Sequence, residues 1–274
     1  MRKITVITIN YNNLQGLKRT VPSVLSQSYD DFEYVIVDGG STDGSKEYIE
    51  QQHGIDTWVS EKDNGIYNAM NKAVGMAHGE YCIFMNSGDH FFSALSLENA
   101  AEELDGSDYC TGKTAVVEDD FLSLCIPPKT MTFYFVKGTS LQHQSTFIKT
   151  QLLKSHPYNE DLKIVADWEH FLKCWYLNNC SYKALQTVVA AYYLDGFSAQ
   201  NENLLKEERK RVIDAIFEGN KNIPHIVETK QEKRDRLTDN LKFKLRNAMK
   251  KKPLSRDWKV MRNGFKFFFK DLFI

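Results

Sequence analysis

A chain of 274 residues with 42% hydrophobic and 26% charged residues has the length and composition of one large α/β domain, with or without a C-terminal extension. No apolar run approaches the 18 residues of a membrane span, and the basic start at Arg2-Lys3 leads an apolar stretch that Asn10 stops too early for a signal peptide. The net charge of −1 hides an asymmetry, because residues 203–274 carry 20 Lys and Arg against 10 Asp and Glu, leaving 15 against 26 for residues 1–202.

The pattern predicts an acidic catalytic body and a basic tail that meets something anionic. Five cysteines, none in Cys-x-x-Cys spacing, form neither a disulfide framework nor a zinc site, so free thiols in a reducing cytoplasm are expected.

Residues 4–9 (Ile-Thr-Val-Ile-Thr-Ile) are the first strand, being β-branched throughout. Asn10-Tyr11-Asn12-Asn13 forms the turn, Asn13 is the N-cap, and Leu14, Leu17, Val21, Val24 and Leu25 recur at helical spacing. Residues 32–37 make a second strand, followed by Asp38-Gly39-Gly40-Ser41-Thr42-Asp43-Gly44 and a short helix over 45–52. A third strand at 57–60 leads to Glu61-Lys62-Asp63-Asn64-Gly65 and a helix over 66–77, with Ile66, Ala69, Met70, Ala73 and Val74 on one face. Gly79 is assigned to the C′ position that ends this helix. The apolar run 81–85 is a buried central strand, and Asn86-Ser87-Gly88-Asp89 breaks it.

Strands alternating with helices across short connections mean βαβ units and a mostly parallel sheet. Four strand ends then share one edge, and all four loops there are rich in Asn, Asp and Gly. Ligands collect beyond the carboxyl ends of strands in such sheets. The edge is therefore a polar, carboxylate-bearing cleft, and a nucleotide is its natural occupant.

Thr-Ile-Asn-Tyr-Asn-Asn after strand one, Val-Asp-Gly-Gly-Ser-Thr-Asp-Gly-Ser after strand two and Gly-Glu-Tyr-x-x-Phe-x-Asn-Ser-x-Asp around strand four resemble glycosyltransferase family 2. Glu61-Lys62-Asp63-Asn64-Gly65-Ile66-Tyr67-Asn68-Ala69-Met70-Asn71 is similar to a branch acting in bacterial polysaccharide assembly, colanic-acid-type enzymes among them. The resemblance covers about residues 3–200 and implies the GT-A fold: an α/β domain, 1–202, with a nucleotide-binding half (1–105) and an acceptor half (106–202). Residues 203–274 follow as a helical, basic extension.

The resemblance implies an inverting transfer from a nucleotide diphosphate sugar, UDP by preference, to a glycan or lipid-linked glycan. Asp38 accepts a hydrogen bond from the base, since a carboxylate can only accept; its competing role is a turn cap over 41–43. Thr8, Asn10 and Tyr11 hold the nucleoside, Tyr11 offering its ring or else packing, and Asp63 and Asn71 lie near it. The family writes its metal motif as Asp-x-Asp, whereas this chain keeps only Asp89. A divalent cation, Mg²⁺ or Mn²⁺, is then held by one carboxylate and completed by phosphates and water. His143, in Leu141-Gln142-His143-Gln144-Ser145-Thr146-Phe147, meets the metal or diphosphate, or is a buried structural histidine. Asp167, in Ala166-Asp167-Trp168-Glu169, is the catalytic base, with helix capping its alternative and Glu169 the fallback.

Asp195-Gly196-Phe197-Ser198 resembles a closing loop over the phosphates. In the tail, Leu254, Trp258, Met261, Phe265, Phe268 and Leu272 recur at helical steps beside Lys259, Arg262, Lys266 and Lys270. That pattern describes a helix lying on the inner face of the membrane, or one packed on the body or a second copy of the chain. Nucleic acid is not an expected partner, because no base-reading motif is present. Two other readings remain at this point, a sugar nucleotidyltransferase and a catalytically weak sugar-nucleotide-binding subunit. Against the first, strand one is not followed by a Gly-rich phosphate loop with Arg and Lys.

Overall fold

The computed structural model describes residues 2–118, 121–193 and 201–217. The closing loop at 195–198 and the amphipathic stretch at 254–272 lie outside the described residues.

The expected alternation is present: β1 (Ile4–Asn10), α1 (Leu14–Leu25), β2 (Phe32–Asp38), α2 (Ser45–Glu50), β3 (Thr57–Ser60), α3 (Ile66–Met76) and β4 (Tyr81–Phe84). These four strands pair in parallel in the order β3-β2-β1-β4. Register carries Asn10 opposite Asp38 and Asp38 opposite Ser60, so the strand ends line up along one edge.

The second half adds β5 (His90–Phe91), α4 (Ser96–Glu103), β6 (Tyr109–Glu118), β7 (Phe121–Cys125) and α5 (Phe133–Gly138). A single 3-10 turn at His143–Ser145 then leads into β8 (Thr146–Lys149), α6 (Thr150–Ser155), α7 (Ala166–Leu177), β9 (Tyr182–Tyr193) and α8 (Glu202–Phe217). Here the sheet turns mixed: β8 runs antiparallel to both β4 and β6, whereas β9 is parallel to β6. The result is a mixed α/β fold whose first half is wholly parallel and whose second half mixes antiparallel pairs with the parallel β6–β9 pair.

Both faces of the sheet are covered, which is why β1, β2 and β4 read as unbroken apolar runs rather than alternating ones. Ile7, Ile9, Val35, Val37, Cys82 and Phe84 pack with helices α3, α7 and α8 on one face. Ile4, Val6, Tyr34, Ile36, Tyr81 and Ile83 pack with α1 and α4 on the other. α8 belongs to the first of these cores, contributing Val212 and Phe217.

Two local expectations are corrected. Ile66 is 44% exposed, and Tyr67 takes its place on the buried face of α3. A packing face is chosen by what lies opposite, and opposite Tyr67 lie Tyr158 and Asp167. Gly79 is not the C′ glycine, because α3 is capped by Ala77. It is glycine because a Cβ there would stand 2.6 Å from the Thr5 backbone nitrogen. Its own N–H donates to Thr5 Oγ1 at 2.9 Å and to buried Glu33 at 3.0 Å.

Candidate active site

The corner expected to hold the nucleoside is built by β1, β2 and β3. Asp38 is fully buried, and its carboxylate accepts from the Ser41 N–H (2.9 Å) and from the Ser41 (2.6 Å) and Ser60 (2.7 Å) hydroxyls. A fourth donor, Asn10 Nδ2, stands at 2.7 Å. Burial alone would raise this carboxyl, and the four donors more than offset it, so its pKa lies below the ordinary value. The turn-cap role of Asp38 is thus realised, and any base contact must share its oxygens with Ser41 or Ser60.

Asn10 keeps Oδ1 buried with no partner, one acceptor to spare at this corner. Tyr11 is 65% exposed. A Cβ at Gly39 would lie 2.5 Å from Asp63 Oδ2 and 3.1 Å from the Tyr11 ring, so Tyr11, Gly39 and Asp63 share one wall, and a side chain there would push the other two aside. Asp63 also accepts from the Gly65 N–H at 2.9 Å, at the mouth of α3.

Two other sequence-selected residues are not at this surface. Thr8 is fully buried, with its hydroxyl donating to Met85 O at 2.7 Å. Asn71 spends both ends of its amide on the segment before α7: Oδ1 accepts from Tyr158 N–H, and Nδ2 donates to Tyr158 O and Glu160, each at 2.9 Å.

The turn after β4 is shaped by Gly88, whose φ of +110° is accessible to few other residues. Thr20 of α1, fully buried, accepts from Gly88 N–H at 2.9 Å and donates to Asp89 O at 2.6 Å. This pins the backbone that carries the Asp89 carboxylate. Nothing in the helical pattern of α1 marked Thr20, since one buried hydroxyl on an apolar face has no sequence signature.

β8 runs antiparallel to β4, so the turn that precedes β8 arrives beside the end of β4. His143 therefore stands at the cleft, one third exposed, with Nε2 3.6 Å from Asp89 Oδ2 and 3.4 Å from the Asn86 side-chain nitrogen. Its other nitrogen, Nδ1, is 3.8 Å from Asp167 Oδ2. Burial pushes the imidazole down, but the Asp89 hydrogen bond and the charges of Asp89 and Asp167 outweigh it, and its pKa is raised.

Asp167 lies in the first turn of α7, where the helix dipole favours a carboxylate. It does not cap the helix: the N-cap is Val165, with no side-chain hydrogen bond. Instead Tyr67 OH donates to Asp167 Oδ1 at 3.2 Å. Burial and the Asp167 charge push the Tyr67 phenol well up, so it stays a donor. Glu169 faces elsewhere, paired with Lys173 at 2.8 Å. Tyr67, Asp167, His143 and Asp89 thus form a continuous line across the cleft. Tyr67 was quoted within its motif without a role, and only the contact across 100 residues reveals one.

Among the described residues no group of three or more His, Cys, Asp and Glu could hold a metal by itself. Asp89 and His143 side by side, with Asn86 Oδ1 buried and unpartnered next to them, are oxygen and nitrogen donors that fit Mg²⁺ or Mn²⁺ when phosphates complete the shell. All five cysteines are free. No helix among the described residues is long and apolar enough to cross a membrane.

The family model "Glycosyl transferase family 2" matches residues 5–152. An uncharacterised glycosyltransferase of Mycobacterium tuberculosis is 31% identical over 207 residues, 73% of this chain and 78% of that one. Among solved structures, Staphylococcus aureus TarS 1–349 in complex with UDP-GlcNAc superposes with a TM-score of 0.63 at 22% identity, over 78% of this chain and 65% of that one. The Pyrobaculum calidifontis mannosyltransferase PcManGT, with GDP-Man and Mn²⁺, gives 0.59 at 19%, over 82% of this chain and 66% of that one. At these identities the two structures speak for the shared fold alone.

Proposed function

The chain belongs to glycosyl transferase family 2, and from that premise we propose an inverting transfer of a sugar from a UDP-sugar to a glycan or lipid-linked glycan in surface polysaccharide assembly. The observation that carries the proposal is the line Tyr67–Asp167–His143–Asp89, which joins a carboxylate with one oxygen left open to the adjacent Asp89–His143 pair. The polysaccharide assignment rests on the motif at 61–71, and UDP rests on Asp38 and Asn10 Oδ1. The superposed structures of TarS and PcManGT hold UDP-GlcNAc and GDP-Man, so this fold accommodates either nucleotide.

In this reading residues 1–105 hold the donor, with Tyr11 and Asp63 walling the nucleoside, and residues 106–202 present the acceptor. Asp89 and His143 would hold the divalent cation, which neutralises charge on the diphosphate as it leaves. Asp167 is the base. As the acceptor oxygen bonds to the anomeric carbon, its proton passes to Asp167, and the bond from that carbon to the diphosphate breaks with its electron pair leaving on the phosphate oxygen. Tyr67 holds Oδ1 and so fixes which oxygen faces the acceptor. Asn71 and Thr8 support the walls from behind.

The test is titration calorimetry of the full chain with UDP and with GDP, with and without Mn²⁺. It is followed by release of nucleotide from UDP-GlcNAc, UDP-glucose, UDP-galactose and GDP-mannose. Mn²⁺-dependent UDP binding and cleavage of a UDP-sugar are expected. Preference for GDP would overturn the donor assignment, and no cleavage of any donor would overturn the reading as a whole.

A further inference from the structure

α7 begins without a cap of its own. Val165, the N-cap residue, has no side-chain acceptor, and the helix opens directly onto Asp167. Buried backbone N–H groups need partners, and each costs about 1–3 kcal/mol if left unmet. The three residues that lead into α7 find theirs in another helix. Glu208 of α8, only 5% exposed, accepts from Lys163 N–H at 2.8 Å, Ile164 N–H at 2.9 Å and Val165 N–H at 3.3 Å. One carboxylate thus takes three consecutive backbone donors immediately ahead of α7, whose second residue is Asp167.

The next residue reaches the other arm of the site. Arg209 donates to Gly138 O at 3.0 Å and to Ser140 Oγ at 2.7 Å, in the segment that leads into His143. Its guanidinium also lies 5.0 Å from the ring of Trp168, the neighbour of Asp167. Adjacent residues on one helix therefore grip the two segments whose side chains meet as Asp167 Oδ2 and His143 Nδ1, 3.8 Å apart.

We propose that Glu208 and Arg209 are positioning residues that set Asp167 against His143, making α8 part of the catalytic apparatus although it lies beyond the matched family region. Neither needs to touch substrate. Both act by holding backbone, and a displacement of about 1 Å at a reacting group can cost 10²-fold in rate. The inference rests on the assignment of Asp167 as base, and the experiment separates the two.

The test uses the full chain as wild type, Glu208→Gln, Arg209→Lys, Asp167→Asn and Glu208→Gln/Asp167→Asn. Three quantities are measured: amide hydrogen exchange, UDP·Mn²⁺ affinity, and steady-state cleavage of whichever of the four donors is cut fastest. Glu208→Gln should speed exchange at 163–167 while the β1–β4 amides stay protected. It should lower kcat by roughly 10–100-fold with UDP affinity unchanged, and add little further loss on the Asp167→Asn background. Arg209→Lys, which keeps the charge and loses the fork, should lower kcat in the same way and guards against a Glu208 variant that fails to fold. Unchanged exchange at 163–167, a fully additive double variant, or kcat and UDP affinity falling together would overturn the proposal. If Asp167→Asn alone retains wild-type kcat, the base assignment fails. Exchange at 163–167 still reports whether Glu208 holds that segment, and with no donor cleaved it decides alone.

Discussion

Asp38 and Asp167 are carboxylates whose surroundings differ in kind. Asp38 is fully buried and takes four donors, all from strand ends in register with it or from its own turn. Asp167 takes one hydroxyl from Tyr67 and faces His143 at 3.8 Å. Oxygens that are already saturated hold a loop in shape, whereas a carboxylate with capacity left over is available to a proton or a cation. The Asp38 corner is thus a finished local structure, and the Asp167 corner is an assembly of distant segments with carboxylate capacity left open.

The sharpest way to break that contrast is Asp167→Asn. We expect kcat to fall by about 10²–10⁴-fold with UDP affinity intact, measured by donor cleavage and calorimetry. Turnover near wild type would move the role to Glu169, despite its pairing with Lys173.

Next comes acid stability, where a core histidine of α7 contrasts with Asp38. His170, on the inner side of α7, is pushed down to about 4 by burial, so it is neutral in the fold. Between about pH 6.5 and 4 the unfolded chain binds a proton that the folded chain does not, and stability is lost as pH falls through that window. The full loss is about 3 kcal/mol. Urea melts of wild type and His170→Phe at several pH values should differ in slope there and run parallel above pH 7. Asp38, whose pKa is lowered, contributes stability that is present above its unfolded value of about 3.9 and lost only as pH falls below it. The two groups should therefore withdraw stability in separate pH windows.

Asp89→Ala should then weaken UDP binding in the presence of Mn²⁺ by about 10–100-fold and leave metal-free binding unchanged. Equal affinity with Mn²⁺ for variant and wild type would remove Asp89 from the cation. The smallest effect is expected at Asp38→Ala, which strands buried donors at Ser41 and Ser60 at a cost of about 1–3 kcal/mol in stability. Calorimetry with UDP and with pyrophosphate then tells base recognition from loop support. A loss confined to UDP means recognition, and equal losses mean support.

Much of the first half was readable without coordinates. Strand ends, the Asn13 cap (accepting from Gly16 N–H at 3.0 Å) and the carboxylate-bearing loops follow from residues near each other in the chain. What could not be read there depends on neighbours that only packing supplies. The Asn71 amide bonds to 158–160, and Gly79 is not a helix terminator but a close-approach glycine. In the second half, Asp89, His143 and Asp167 were each singled out, but the antiparallel β4–β8 pairing that puts His143 at the cleft had no local signal. Glu208 was unreadable as well, because a mid-helix glutamate in a charged stretch looks like any solvated one.

The sequence by itself determined the α/β alternation, the family, and the edge of the sheet that carries the polar loops. Those depend on periodicity, turn residues and spacing, which act over a few residues. Tertiary structure alone decided which carboxylate is saturated and which stays open, that Tyr67 and His143 flank Asp167, and that α8 holds the segment leading into its helix. The physical reason is one of range. A hydrogen bond is made within about 3 Å, and nothing local in the chain records which of its distant donors will arrive there.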